Sequence, residues 1–327
     1  MIQEIRIKNY LSFRDEVVLS FEATKDTTFE ECQVVNVTPK VRLLRFALIY
    51  GANASGKSNL LKAMDFLRDF WFDKKSDIDE DTGVVPFLLD TETPNEPSEF
   101  NIKFFVGDKR YWYALILDDK QVIKEDLYVY NSVQPSLVFS RELDGTASLI
   151  KLNASLVKAN ATIVEQLNVK CLSNMSFFAA RNQVNCSLAY IDEVRDWMKN
   201  NMMPIIEPGT RMFEYAGKQM EKNAELKAYI LDFVHKADYN ITDVYTEREK
   251  VPIPDFVKTS IMEDKDIPEK TKERMLADNA LERLRTDFQH TVKNKRGEEN
   301  YRLPNSLQSE GTKRTFGIEA AIYEAIK

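Results

Sequence analysis

Residues 51–58 read Gly-Ala-Asn-Ala-Ser-Gly-Lys-Ser and complete the pattern G-x-x-x-x-G-K-[ST] of a phosphate-binding loop. The stretch before it, residues 43–50, is short and apolar, which predicts a buried parallel strand. The stretch after it, residues 59–67, carries apolar residues at helical spacing. The sequence therefore predicts a strand, a glycine loop and a helix in succession, which is the context that this motif requires.

The spacing of the loop assigns a role to each of its residues. Gly51 and Gly56 allow the backbone to wrap closely around a phosphate, where a Cβ would clash. The N–H groups of residues 53–58 point inward, and the helix that begins there adds its positive end. Lys57 supplies a charge to the β- and γ-phosphates, and the hydroxyl of Ser58 coordinates Mg²⁺. The predicted nucleotide-binding residues are Gly51, Asn53, Ala54, Ser55, Gly56, Lys57, Ser58 and Asn59.

The composition is that of a globular protein in a reducing compartment. The chain has 327 residues, of which 43% are hydrophobic, enough for one large or two ordinary domains. Its three cysteines are scattered and form no C-x-x-C pair, so no disulfide framework is expected. Its two histidines, His235 and His290, are far apart in the sequence, so no histidine-based metal site is expected. The first eight residues alternate apolar and charged side chains, which is typical of a strand and not of a signal peptide. With no apolar run of membrane-spanning length, we expect a cytoplasmic protein without a membrane partner.

The charge distribution gives little support for nucleic-acid binding. The net charge is −7, whereas nucleic-acid-binding domains are usually basic. One basic neighbourhood lies near the C-terminus, and we interpret it as a solvated surface. It consists of Lys293, Lys295, Arg296, Arg302, Lys313 and Arg314.

The first 150 residues are rich in strand patterns. Residues 5–7 and 17–21 predict an opening hairpin, and residues 100–106 and 111–117 alternate on either side of a Gly107-Asp108 turn. Residues 73–98 are acidic and contain three prolines, which indicates mostly loop. These patterns predict an antiparallel subdomain beside the nucleotide core, with the aromatic side chains used for packing.

Helical spacing dominates from about residue 152 onward. Predicted helices cover residues 161–167, 191–200, 224–237 and 268–285, and a strand over residues 287–292 is expected to return to the nucleotide core. The predicted domains are a nucleotide-binding lobe (1–150), a helical insertion (151–286) and a returning segment (287–327).

A second glycine motif precedes the last predicted helix, over residues 316–326. Residues 307–314 read Leu-Gln-Ser-Glu-Gly-Thr-Lys-Arg. A serine and a glycine ahead of a helix form an anion-binding end, although alone this pattern is more often an ordinary cap.

Taken together, these motifs resemble the ABC-type ATPases in the branch of RecF and the structural-maintenance-of-chromosomes proteins. The chain is more closely similar to bacterial AAA-family ATPases with an ABC-like fold that occur in phage-defence and abortive-infection operons. The resemblance rests on residues 5–13, 51–67 and 307–314, with weaker likeness at 86–90 and 238–241. It implies an α/β fold, namely a P-loop NTPase core with an antiparallel subdomain and a helical insertion.

The resemblance also implies an activity and partners. In such families the signature serine and glycine contact the γ-phosphate held by the other subunit, so Ser309 and Gly311 would act in trans on ATP and Mg²⁺ bound at Lys57. A homodimer that hydrolyses ATP and regulates a nuclease, a toxin or a DNA transaction is therefore expected. The motif departs from Leu-Ser-Gly-Gly-Gln at Gln308, Glu310 and Thr312.

The acidic motif that hydrolysis requires is absent after this signature. The family places a strand ending in Asp-Glu beyond the signature helix, whereas this sequence stops at Lys327, so we expect a fragment of a longer protein with weak activity of its own. Asp192 and Glu193 follow an apolar run, but we interpret them as the polar start of a helix. The glutamine loop of the family is not assigned; Gln121 and Gln134 are candidates.

Other functions fit the sequence less well. A GTPase would need D-x-x-G, which none of the ten glycines completes, and Asn294-Lys295-Arg296-Gly297 lacks the aspartate of N-K-x-D. A small-molecule kinase leaves the helical insertion and the second glycine motif unexplained. A nucleotide-gated scaffold that binds ATP without turnover remains the main alternative to an ATPase.

Overall fold

A computed structural model describes residues 1–207, 209–210, 212–237, 240–264, 269–277 and 280–326. The chain divides into two compact units, Met1–Ile205 and Ile206–Lys327. The predicted helical segment 151–286 therefore extends over parts of both units. Pro268, Lys327 and the pair Asp238-Tyr239, which entered the sequence predictions, lie outside the described residues.

The first unit is built around one large antiparallel sheet whose buried side chains share a core with helices. The seven strands run in the order β2-β1-β5-β6-β7-β8-β9. The strands of this unit are β1 (Ile2–Lys8), β2 (Val17–Ser20), β3 (Val34–Thr38), β4 (Val41–Leu44), β5 (Ser98–Val106), β6 (Lys109–Leu117), β7 (Val122–Tyr130), β8 (Ser136–Asp144) and β9 (Ala147–Leu152). Its helices are α1 (Glu30–Gln33), α2 (Lys57–Phe70), α3 (Ala161–Lys170), α4 (Phe177–Arg181) and α5 (Ile191–Asn201).

Strands β5 and β6 form the centre of this unit and confirm the predicted hairpin. Their alternate side chains, among them Phe100 and Tyr113, are fully buried against the helices. Gly107 makes the connecting turn at φ 59°, a left-handed conformation that glycine adopts without steric cost. Trp71, just after α2, meets Tyr113 edge to face at 5.4 Å between ring centroids. This packing fixes α2, the helix that follows the phosphate loop, on the inner face of the sheet.

The prediction of a strand before the phosphate loop, over residues 43–50, is wrong for most of that stretch. Strand β4 ends at Leu44 and pairs antiparallel with β3, and residues 46–50 form no strand. Their apolar side chains are exposed, with 79% of Leu48 and 91% of Tyr50 accessible. A parallel strand needs a parallel neighbour, and the paired strands in the described part of the chain are all antiparallel.

The second unit combines a three-stranded sheet with helices. Phe288 in the middle strand is fully buried and meets Phe316 edge to face at 4.9 Å. The strands are β10 (Asp243–Pro252), β11 (Ala280–Asn294) and β12 (Gly297–Pro304), in the order β10-β11-β12. The helices are α6 (Phe213–Lys222), α7 (Ala224–Lys236), α8 (Asp255–Glu263), α9 (Glu269–Ala277) and α10 (Glu310–Ile326).

This unit corrects two sequence predictions. The helix predicted over residues 268–285 is α9, which ends at Ala277, and strand β11 begins at Ala280, so the segment 151–286 is not wholly helical. Pairing with β10 along ten residues outweighs the helical spacing of the local sequence. The strand predicted at 287–292 is present within β11, but its sheet partners are β10 and β12 and not strands of the nucleotide core.

Among the helices that the described residues form, none is both long and apolar enough to cross a membrane.

Candidate nucleotide-binding site

The phosphate loop turns sharply into α2 at Gly56. This residue immediately precedes the helix and has a left-handed backbone with φ 86°. A Cβ placed there would lie 2.7 Å from Cε1 of Phe13 and 2.9 Å from Oγ of Ser12. Both the backbone angle and the close approach therefore exclude any residue except glycine at this position. Ala54 also has a positive φ of 63°, so the loop is tightly curled over several residues.

The start of α2 leaves backbone donors available. Leu60 N–H donates to the carbonyl of Gly56 at 3.1 Å, and no side chain caps the helix. The N–H groups of Lys57, Ser58 and Asn59 have no acceptor within the described residues. These donors add to the positive end of a helix of 14 residues. The first turn of α2 can therefore receive an anionic group through its backbone.

The loop also contributes the side chains of Lys57 and Ser58 to this site. Nζ of Lys57 donates to the carbonyls of Gly51 at 3.0 Å and Ala52 at 2.6 Å, so the ammonium group lies over the loop itself. Ser58 is exposed at the beginning of the helix. The described residues contain no cluster of three or more histidine, cysteine or acidic side chains that could hold a metal ion. A Mg²⁺ ion at this site would therefore rely on Ser58, water and phosphate oxygens.

The turn between β1 and β2 packs directly on the loop, although its sequence pattern predicts no site residue. Nδ2 of Asn59 donates to Oγ of Ser12 at 2.8 Å, and the ring of Phe13 fills the space beside Gly56. The hydroxyl of Tyr10 donates to the carbonyl of Lys62 at 3.3 Å. Burial raises the pKa of Tyr10 to about 12. The sequence signal was present in residues 5–13, which carried the family resemblance, but nothing in their pattern indicates which element they contact.

The second glycine motif forms the start of α10 in the second unit, and here the serine acts as a cap. Oγ of Ser309 accepts from the N–H of Thr312 at 3.0 Å and lies 2.8 Å from Oγ1 of Thr312. Gly311 lies within the first turn of α10, and the nearest atom to a Cβ there would be Oγ of Ser309 at 3.7 Å. Nε2 of the preceding Gln308 lies 2.8 Å from Nε2 of His290.

The Asp192-Glu193 pair is the start of a helix, as predicted. Both residues lie in the first turn of α5. Oδ1 of Asp192 accepts a hydrogen bond from Nε of Arg181 at 3.0 Å, and its Oδ2 accepts one from the N–H of Leu188 at 2.8 Å. Glu193 accepts from Lys109 at 2.8 Å. Both carboxylates are therefore engaged by neighbouring donors within the first unit.

The two candidates for the glutamine loop lie outside helices and strands, and two residues of the basic neighbourhood contact other side chains. Gln121 lies in the turn between β6 and β7, and Gln134 lies in the connection between β7 and β8. In the basic neighbourhood, Lys313 pairs with Glu310, and the guanidinium carbon of Arg302 lies 3.5 Å from the ring centroid of Tyr245.

Comparison with known proteins supports a nucleotide-related role for this part of the chain. Residues 46–151 match the family described as "AAA domain, putative AbiEii toxin, Type IV TA system". The match includes the phosphate loop, α2 and the strands from β5 into β9, about a third of the chain. No curated protein matches the chain. The mixed α/β unit with its phosphate loop and large antiparallel sheet is thus similar to the AAA-type ATPases over residues 46–151.

Proposed function

We propose that this chain binds ATP with Mg²⁺ at the start of α2 and belongs to an ABC-like ATPase of the RecF and SMC branch. The observation that carries the proposal is the first turn of α2, where three backbone N–H groups have no acceptor among the described residues, with the ammonium group of Lys57 held by the carbonyls of the same loop. In this arrangement the loop from Gly51 to Asn59 holds the phosphates, and Ser58 supplies a hydroxyl to the metal. A bound nucleotide supplies a phosphoryl group whose transfer requires positioning and charge neutralisation.

The fit of a triphosphate is supported by the loop itself. The ammonium group of Lys57 is held by two carbonyls, and a phosphate oxygen is a stronger, charge-assisted acceptor for it. When a nucleotide binds, the ammonium group of Lys57 therefore exchanges the two neutral carbonyl oxygens for an anionic phosphate oxygen. No carboxylate shares these contacts in the described part of the chain, so the charge of the phosphate is not opposed at short range.

Binding is tested by titrating the full chain with ATP and MgCl₂ in a calorimeter. We expect a single site in the parent chain and a loss of affinity of about 100-fold in Lys57→Ala, since a charge-assisted phosphate contact is removed. GTP in place of ATP provides the comparison for base preference. A parent chain that shows no heat of binding at millimolar ATP, and no segment protected from amide hydrogen exchange by ATP, would contradict the proposal.

We further propose that ATP joins two copies of the chain head to tail, with Ser309 and Gly311 of one copy facing the nucleotide of the other. For Ser309 to reach a phosphate, its hydroxyl must exchange the N–H of Thr312 for the ligand or serve both. Sedimentation velocity with and without Mg-ATP tests this step. We expect dimers in the parent chain and monomers in Lys57→Ala; equal dimerisation of both would exclude ATP as the link.

The regulated partner, a nuclease, toxin or DNA transaction, is proposed from the family resemblance alone. DNA can be tested by filter binding of a labelled duplex over a salt series, in the presence and absence of ATP. An electrostatic complex weakens steeply as the salt concentration rises, and no retention at low salt would remove DNA from the proposal.

The second candidate function is a nucleotide-gated scaffold that binds ATP without hydrolysing it. It is favoured by the engagement of Asp192 and Glu193 in ion pairs, which leaves neither free to orient a water. The two candidates differ in turnover. Phosphate release by the parent chain that is lost in Lys57→Ala favours the ATPase, whereas tight binding with no release favours the scaffold.

A further inference from the structure

We propose that Asn9 is a positioning residue of the nucleotide site. It ties the segment of residues 85–97, here called the strap, to the turn of residues 9–13, and this turn supports the phosphate loop. The inference rests on the proposed nucleotide binding and adds to it a second element, since it predicts that the strap controls how well the loop holds phosphate.

Asn9 uses nearly all of its hydrogen-bonding capacity on the strap. Its side chain is completely buried, and Nδ2 donates to the carbonyls of Thr93 at 2.7 Å and Glu96 at 2.8 Å. Oδ1 accepts from the N–H of Phe87 at 2.9 Å. The carbonyl of Asn9 accepts from the hydroxyl of Ser98, where β5 begins. A single amide therefore holds both ends of the strap.

The turn that contains Asn9 depends on such external support. Asn9 and Leu11 have positive φ angles of 51° and 49°, which are unfavourable for residues with a Cβ. The N–H of Leu11 donates to the carbonyl of Val85 at 2.9 Å, so the strap holds this residue as well. The turn closes on itself through two hydrogen bonds between Tyr10 and Phe13. Without the strap, the turn would be free to relax towards ordinary backbone angles.

The opposite side of the turn contacts the phosphate loop. Ser12 accepts from Asn59, the last residue of the loop region, and both Phe13 and Ser12 lie within 3 Å of the position that a Cβ would take at Gly56. A shift of the turn by about 1 Å would either release Asn59 or push Phe13 into the Gly56 backbone. The geometry of a binding site tolerates little displacement. The strap should therefore influence phosphate affinity, because it holds Asn9, and the turn that contains Asn9 places Ser12 and Phe13 against the phosphate loop.

The experiment compares Asn9→Asp with a matched substitution, Asn174→Asp. Asn174 is also completely buried in the first unit, and its Nδ2 donates to two loop carbonyls, those of Asp77 and Glu80, both at 2.8 Å. It makes no hydrogen bond to residues 9–13 or 51–59 among the described residues. Each substitution replaces a donor by a carboxylate facing carbonyl oxygens, so both should lower the thermal midpoint. The match is in the donor group, because Oδ1 of Asn9 accepts from Phe87 whereas Oδ1 of Asn174 has no hydrogen-bond partner among the described residues.

The affinity for Mg-ATP should separate the two variants. We expect Asn9→Asp to weaken binding at least tenfold at a temperature where the chain is folded, while Asn174→Asp binds within twofold of the parent. Equal affinity of Asn9→Asp and the parent, or an equal loss in both variants, would overturn the proposal. A parent chain that does not bind Mg-ATP would instead contradict the proposed function, so the two failures are distinguishable.

Two further variants keep the test independent of folding defects. Ser98→Ala removes the hydroxyl that binds the Asn9 carbonyl without changing Asn9, and we expect a two- to fivefold loss of affinity. Combining Asn9→Asp with Ser12→Ala should produce less than the product of the single effects, because both act through the same turn. Independent, fully multiplicative effects would show that Asn9 does not act through Ser12 and would also overturn the proposal.

Discussion

The starts of α2 and α10 have similar sequences but different chemistry. Both place a small polar residue and a glycine at the beginning of a helix. At α2 the glycine is the cap, no side chain in the described part of the chain caps the helix, and the backbone donors stay open. At α10 the serine hydroxyl accepts the N–H of Thr312 and closes the first turn from within. A glycine motif is therefore ready for an anion only where no local side chain has already taken the donors.

The largest expected difference between the two starts is in their tolerance of a methyl group. Gly56→Ala forces a Cβ to within 3 Å of Phe13 and Ser12 at a positive φ, so we expect a loss of about 2–3 kcal/mol in the free energy of unfolding and no measurable ATP binding. Gly311→Ala meets no atom closer than 3.7 Å and should change stability by less than about 1 kcal/mol, in the stabilising direction.

Urea denaturation of both variants measures this contrast. The two variants make the same chemical change, one at the cap of α2 and one within the first turn of α10, so the difference between them reflects the backbone angle and the surrounding atoms. If both variants lost the same stability, the difference that we assign to the turn of residues 9–13 would be wrong.

The second contrast concerns Lys57 and Lys313, the lysines near the two helix starts. Lys57→Ala should weaken ATP binding about 100-fold and leave the thermal midpoint unchanged, because its ammonium contacts only loop carbonyls. Lys313 pairs with the exposed Glu310, and Lys313→Ala should alter neither ATP binding to isolated chains nor stability beyond about 0.5 kcal/mol. Calorimetry and thermal unfolding of the two variants check this; a large stability loss in Lys57→Ala would show that the lysine holds the loop together.

The third contrast separates capping from phosphate contact at Ser309. Ser309→Ala removes the acceptor for Thr312 and should cost about 1 kcal/mol of stability, whereas Ser58→Ala should cost nothing measurable because α2 has no side-chain cap. Ser309→Asp keeps a capping oxygen and should restore stability, yet its charge should prevent ATP-dependent dimerisation. Chemical denaturation and sedimentation velocity are both needed. A Ser309→Asp chain that dimerises normally would remove this serine from the proposed interface.

The sequence predicted the elements whose patterns are local. The hairpin of β5 and β6, the helix after the phosphate loop and the polar start of α5 at Asp192 all follow from periodicity and turn chemistry. The failures depend on distant partners. Residues 46–50 have the composition of a core strand, but no described strand lies parallel to them, and residues 280–285 have helical spacing, but pair with β10. Likewise, the role of Ser12 and Phe13 depends on which helix they contact, which local sequence does not specify.

The last contrast tests how α2 and α10 are anchored, through the pH dependence of stability. Tyr10 donates to the backbone of α2, and burial raises its pKa to about 12 from a usual value near 10. Below pH 10 both folded and unfolded chains hold this proton, so the contribution is complete; between pH 10 and 12 only the folded chain holds it, and stability falls as the pH rises. Tyr10→Phe should therefore show a shallower loss between pH 9 and pH 11, by about 1 kcal/mol. Tyr229 donates at 3.3 Å to Glu319 of α10 instead, and burial raises the pKa of this tyrosine as well as that of the Glu319 carboxyl, so Tyr229→Phe should also flatten the alkaline loss of stability. A Tyr10→Phe chain that lost stability as steeply as the parent between pH 9 and pH 11 would show that the hydroxyl of Tyr10 is not the group that anchors α2.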